Sequence, residues 1–353
     1  MPKFPRFLAP ILMFLLGAAL SPVLLAQPLP TGVQAVTSVE GIDEYRLENG
    51  LQLLLVPDDS KPTTTVNLTY RVGSRHEGYG ETGMAHLLEH MLFKGTPTTK
   101  EPMAVLEQRG LSFNGTTSLD RTNYFASFAA NDANLKWYIE WEADAMINSL
   151  VARKDLDTEM TVVRNELERG ENSPGKILFQ RTMALMFDWH NYGHSTIGAR
   201  ADVENVDIPS LQAFYRLYYQ PDNATLIVAG KFDTAQVLRW VADSFGKIPK
   251  PTRKLPLLYT LDPAQDGERS VTLRRSGGAP MIIAGYHMPP GSATDNAAVE
   301  MLALILGDTP SGRLHKRLIV ASLASGASAS AESLSDPGVF VASASLEIGR
   351  AHV

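Results

Sequence analysis

His86, Glu89 and His90 form an H-x-x-E-H within Gly83-Met-Ala-His-Leu-Leu-Glu-His-Met-Leu-Phe-Lys-Gly95. On a helix of about 3.6 residues per turn, positions 86 and 90 stack on one face and 89 lies beside them. Two imidazoles so placed reach one metal ion, with a carboxylate at hand. Met84, Ala85, Leu87, Leu88, Met91, Leu92 and Phe93 make this helix apolar nearly all round, so it is expected to be buried. Burying two histidines and a glutamate is costly unless they are paired or bound to a metal. The plainer alternative is a pair of core histidines satisfied by hydrogen bonds. The H-x-x-E-H spacing, a signature of zinc peptidases, weighs against it.

A catalytic zinc takes three protein ligands and keeps one open position. The candidate source of the third is 155–168. Leu156, Met160, Val163 and Leu167 fall at i, i+4, i+7 and i+11, the stripe of an amphipathic helix. Glu159 and Glu166 lie seven residues apart on one edge of that stripe, and Glu168 projects elsewhere. Spacing alone leaves Glu166 open as a metal ligand or as part of a solvated helix flank.

These side chains need a scaffold. Residues 40–59 read as a hairpin around Glu48-Asn49-Gly50. Residues 63–72 alternate, with Val66, Leu68 and Tyr70 on one face. A short helix is expected over 101–109, and strands over 111–117 and 124–130 flank Asp120-Arg121. Asn131-Asp132 caps a helix through Ser149, with Trp137 and Trp141 as core partners. Further helices are expected at 153–170, 175–187, 207–219 and 233–245, with a strand at 223–230. His76, His190 and His194 read as hydrogen-bonded loop histidines on the surface, without a ligand role.

The Pro-rich, basic stretch 247–257 reads as a linker between two domains, 27–246 and 258–346. Beyond it, 271–274 and 281–287 read as strands before a helix at 295–306. That order weakly repeats 66–70 and the H-x-x-E-H helix, without the motif. The fold class is α+β: two related domains, each a mainly antiparallel sheet packed with helices, the second incomplete. Residues 347–353 are expected to be a non-native tail.

With 44% hydrophobic and 20% charged residues, the 353-residue chain has a globular composition. Its net charge of -6 argues against nucleic acid as a partner. Residues 1–26 carry Lys3 and Arg6 ahead of an apolar run broken by Pro10, Gly17 and Pro22. This is the pattern of a secretory signal peptide rather than a membrane span. A periplasmic mature form, not held in a membrane, is expected. The chain has no cysteine and so no disulfide.

The sequence resembles the pitrilysin/insulinase family of zinc peptidases from about Tyr45 to about Gly338. The resemblance rests on His86-Leu-Leu-Glu-His90 with Met-Leu-Phe-Lys-Gly-Thr96, and on Glu159, Val162, Val163 and Glu166. It also rests on Asn114-Gly-Thr-Thr-Ser118, Thr122-Asn-Tyr124 and Tyr192-Gly-His-Ser-Thr-Ile-Gly198. Glu166 follows His90 by 76 residues (166 − 90), an interval that fits the family. The resemblance implies that His86, His90 and Glu166 bind Zn2+, that Glu89 is the general base and that Glu159 supports a ligand from behind. It implies that substrate lies along Phe113, Asn114 and Gly115 as an added strand. The family's Arg and Tyr side chains that stabilise the oxyanion come from a C-terminal half, and no pair here is matched to them.

The expected function is that of a zinc metalloendopeptidase acting on peptides or unfolded polypeptides. The alternatives are a catalytically silent assembly subunit of the same fold, or half of a two-chain peptidase whose chamber a partner or second half completes.

Overall fold

The structure is a computed structural model and describes residues 28–276 and 278–346. The expected signal peptide (1–26) and tail (347–353) lie outside the described residues.

Three strands come first among the described residues, β1 (Val33–Val39), β2 (Ile42–Leu47) and β3 (Gln52–Pro57), each antiparallel to the next. Strand β4 (Thr63–Tyr70) leads through a 3-10 turn at Ser74–His76 into α1 (Met84–Leu92). Helix α2 (Pro102–Gln108) and the hairpin of β5 (Ser112–Thr117) and β6 (Thr122–Ala129) follow. Five helices come next: α3 (Asp132–Asn148), α4 (Arg153–Glu171), α5 (Pro174–Met186), α6 (Arg200–Asn205) and α7 (Ile208–Tyr218). Strand β7 (Ala224–Gly230) and α8 (Thr234–Asp243) complete the first unit.

Its seven strands lie in the order β1-β2-β3-β7-β4-β6-β5. Strand β7 inserts between β3 and β4, parallel to the former and antiparallel to the latter. Alternation gives this sheet two unlike faces. Leu53, Leu55, Val66, Leu68, Tyr70, Tyr124, Leu226 and Val228 are buried on one. The other is polar: Thr65 bonds Ser127, Asn123 bonds Asn67, and Arg71 bonds Gln52. Leu87, Leu88, Met91 and Leu92 of α1 are buried in the same core. Each such side chain contributes about 1.5–3 kcal/mol. The helix that carries the motif is therefore a fixed part of the core.

Backbone without helix or strand runs over 248–280 among the described residues. Residues 271–274, expected as a strand, are irregular and pair with no described strand. Side chains hold this segment to the first unit. Arg253 forks onto Asp222, Asp262 accepts the amides of Asp188, Trp189 and His190, and Arg269 pairs with Asp188.

The second sheet contains β8 (Met281–Met288), β9 (Ala324–Glu332) and β10 (Gly338–Leu346) in the order β8-β10-β9, all antiparallel. Helix α9 (Asn296–Gly307) connects β8 to this hairpin. Strand, helix, then a hairpin whose last strand is central: this is also the arrangement of β4, α1, β5 and β6. The α+β class and the two related units read from sequence are thus present. The units meet in an apolar cluster of Met183, Met186, Phe187 and Tyr192 with Val339 and Val341.

Candidate metal centre

Helix α1 begins at Gly83, which has φ +95° and no side chain to cap the free amides. A Cβ there would stand 2.7 Å from Val203 Cγ2 and 2.8 Å from the Ile197 carbonyl oxygen. The cap comes instead from Glu77. Its Oε2 accepts the Gly83 amide at 2.8 Å and its Oε1 the Ala85 amide at 2.9 Å. Burial pushes this carboxyl up to about 8. The two amides at the positive end of the helix pull the other way and favour the carboxylate.

One turn into α1, His86 Nε2 and His90 Nε2 lie 3.3 Å apart. Glu166 reaches in from α4, its Oε2 3.4 Å from His86 Nε2 and 3.6 Å from His90 Nε2. A tetrahedral ion bonded at about 2.0–2.2 Å separates its ligands by about 3.3–3.6 Å. The three donor atoms are therefore spaced as the ligands of one such ion. Two imidazoles and one carboxylate also suit zinc by type. Glu168 is exposed.

Two turns earlier on α4, Glu159 Oε1 lies 2.8 Å from His90 Nδ1, and Lys94 pairs with Glu159 Oε2. Nδ1–H donates to the carboxylate, which leaves the Nε2 lone pair of His90 facing the cluster. Burial pushes the Glu159 carboxyl up, but Lys94 and His90 outweigh it and hold it below the usual range. Burial, with His90 beside it, pulls His86 down to about 4. His86 is thus neutral at pH 7, the form in which imidazole binds a metal. Its Nδ1 is buried without a hydrogen-bond partner among the described residues.

Glu89 points to β5. Its Oε2 accepts the Thr117 hydroxyl at 2.6 Å. Burial raises its carboxyl above the usual range, Thr117 and His90 draw it back, and Glu166 adds to the rise. Period-two alternation puts Phe113, Gly115 and Thr117 on the face of β5 that meets α1. The Phe113 ring packs on Phe93 with centroids 5.8 Å apart, and buried Gly115 lies against Glu89. Asn114 is exposed. Strand β5 ends its sheet, with no partner on its outer side among the described residues.

The structure brings His86, Glu89, His90, Glu159 and Glu166 together, with Phe113 to Gly115 alongside. Lys94, Thr117 and Glu77 complete the site and were not singled out from sequence. Lys94 is i+4 from His90 and Thr117 is two residues from Gly115, so both shared a face with an identified residue. Nothing local marks Glu77. His190 differs from the surface residue expected: the β9–β10 loop covers it, and it bonds Asp336 at 3.0 Å.

Residues 53–200 match the family model described as insulinase (peptidase family M16), and 205–350 match the peptidase M16 inactive domain. The zinc protease PqqE of Helicobacter pylori is 32% identical over 329 residues, covering 91% of this chain and 73% of that protein. A crystal structure of a Helicobacter pylori protease superposes with a TM-score of 0.81 at 30% identity, over 89% of this chain and 75% of that one. The probable zinc protease PqqL of Escherichia coli is 30% identical over 239 residues. This chain spans 64% of its own length there and 24% of that protein. The crystal structure of that periplasmic protease shares the fold at a TM-score of 0.69 and 23% identity, over 89% of this chain and 36% of that one.

Proposed function

The chain belongs to the insulinase family of peptidases, family M16, and on that premise we propose that it is a zinc-dependent endopeptidase. The observation that carries this is the convergence of two imidazole nitrogens and a carboxylate oxygen at zinc-ligand spacing, with a second carboxylate beside them. His86, His90 and Glu166 hold the ion. When bound, zinc supplies Lewis acidity, polarising a peptide carbonyl and acidifying water.

The protein does the rest with named atoms. Glu159, fixed by Lys94, keeps the His90 proton on Nδ1. Thr117 occupies Glu89 Oε2, so Oε1 is the oxygen free to take the proton of the attacking water. The same carboxyl then returns a proton to the leaving amine. Burial keeps Glu89 more basic than an exposed glutamate, which suits a base working near neutral pH.

Substrate adds as an extended strand along the outer edge of β5, past Phe113, Asn114 and Gly115. A peptide or an unfolded polypeptide offers free backbone for that pairing. The leader expected over 1–26 and the periplasmic setting of the PqqL relative support a periplasmic location. A second half or a partner subunit supplies the groups that hold the oxyanion.

Metal analysis and peptide hydrolysis test this together. The purified chain carries one zinc and Glu166→Ala loses it. Glu89→Gln keeps the zinc and loses turnover, assayed with the completing half present. Peptide cleavage by Glu89→Gln, or no zinc in the wild type, would overturn the assignment.

A further inference from the structure

Asp336, on the loop between β9 and β10, is where the second unit grips the segment that leads into α1. Its Oδ2 accepts from Arg75 Nη1 at 2.7 Å and from His190 Nε2 at 3.0 Å. Its amide donates to the Tyr192 hydroxyl at 3.2 Å. The Ser335 amide donates to Asp120 Oδ2 at 2.8 Å. Asp120 Oδ1 accepts the Tyr192 hydroxyl at 2.7 Å and lies 3.2 Å from Arg75 Nε. His190 Nδ1 accepts the Tyr192 amide at 3.1 Å, so the ring proton sits on Nε2 and faces Asp336. The Arg75 and Asp120 side chains are each 16% exposed and that of Asp336 29%. At that burial, removing one charge strands its partner.

From Arg75 the contacts continue to α1. Asn191, in the same loop as His190 and Tyr192, donates from Nδ2 to the carbonyls of Arg75 and Glu77, each at 2.8 Å. That pins backbone 75–77. The Glu77 carboxylate then holds the amides of Gly83 and Ala85, the start of a helix with no cap of its own. His86, Glu89 and His90 follow within two turns.

We infer that Asp336 is a positioning residue for the metal helix. Through Arg75 and Glu77 it sets the first turn of α1, and so the direction in which His86 and His90 present their nitrogens. The second unit thereby shapes a site to which none of its described residues contributes a ligand. This inference rests on the reading of His86, His90 and Glu166 as a zinc site.

The test uses the full chain, with zinc affinity measured against a competing chelator and amide exchange measured on the metal-free protein. Asp336→Ala weakens zinc binding about tenfold, the loss typical of removing support behind a ligand. It speeds exchange at 83–92 and leaves α8 unchanged. Asp336→Glu, which keeps the carboxylate, recovers most of the affinity. The double variant Asp336→Ala/Glu77→Gln binds zinc no more weakly than Glu77→Gln alone, because both act along one connection. Where the alanine variant does not fold, Asp336→Asn replaces it and shows the same loss in smaller degree.

Unchanged zinc affinity and unchanged exchange at α1 would overturn the inference, as would fully additive losses. Absence of zinc binding by the wild type would overturn the metal reading instead, and exchange in the metal-free chain would still decide the coupling.

Discussion

Gly115→Ala is the sharpest probe of how β5 and the base are fitted together. Gly115 does not sit in the left-handed region, so alanine is tolerated by the backbone. Space is the constraint. The new Cβ would stand 2.9 Å from Glu89 Cγ, 3.1 Å from Glu89 Oε1 and 3.1 Å from Phe93 Cε2. Ordinary carbon contacts lie at about 3.5–4.0 Å, so Glu89 must retreat by roughly 0.6–1 Å. The side chain that yields is the proposed base, and the methyl crowds the oxygen left free by Thr117. A displacement of about 1 Å in a reacting group costs up to about 100-fold in rate. The expected outcome is a kcat about 10- to 100-fold below wild type at saturating zinc, with one zinc still bound. Quenched-peptide kinetics and metal analysis on the same sample measure both. A kcat within twofold of wild type would refute the packing argument, and loss of zinc would show that the strain is not confined to Glu89.

Thr117→Val removes the hydroxyl at nearly constant volume. Because that bond draws the Glu89 carboxyl down, its loss raises it, and the acid limb of the kcat/KM profile moves to higher pH; an unmoved limb counts against the assignment. Lys94→Met leaves Glu159 without its cation and weakens zinc binding about tenfold in a chelator competition, with no change expected in α8 exchange. Glu142, fully buried on α3, is pushed by burial up to about 8 from an ordinary 4.5, with Tyr138 drawing it back. A carboxyl raised in the folded state gives stability that is complete below about 4.5 and is lost as pH rises through about 8. Glu142→Gln does not titrate, so its stability relative to wild type climbs over that window, by roughly 5 kcal/mol at most. Urea unfolding of both proteins at pH 5, 7 and 9 checks this, and a constant difference would contradict it.

Elements with a strong local period were legible in the sequence. Val66, Leu68 and Tyr70 gave β4, and the Asn131 cap with its Trp137–Trp141 pair gave α3. The two histidines were legible because they lie one turn apart on a single helix; Glu159 and Glu166 share one edge of another, but spacing left Glu166 open, and its place as a ligand came from the family resemblance. Strand β1 was missed because all but Val33 of its residues are exposed, which removes the alternation a strand normally shows. Strand β9 reads Ala-Ser-Gly-Ala-Ser-Ala-Ser-Ala-Glu, with almost no strand-forming side chains, and is a strand because β10 pairs with it. The reverse holds for 271–274, which alternates yet pairs with no described strand. The contact of Arg75 with Asp336 spans 261 residues, and no spacing rule reaches that far.

The free edge of β5 has one further consequence. An edge that welcomes any passing backbone would also welcome another copy of itself and nucleate aggregates. Ser112-Phe-Asn-Gly-Thr-Thr117 is a poor template for that: one aromatic, one glycine and four polar residues over six positions. Phe113 is turned inward onto Phe93, so the exposed side chains of the strand are those of Ser112, Asn114 and Thr116, all polar. On the proposed function, selectivity between guest and self depends on what the guest brings to the groove, and a guest leaves once it is cut. On that reading the edge suits brief occupancy, and raising its apolar content would trade turnover for self-association.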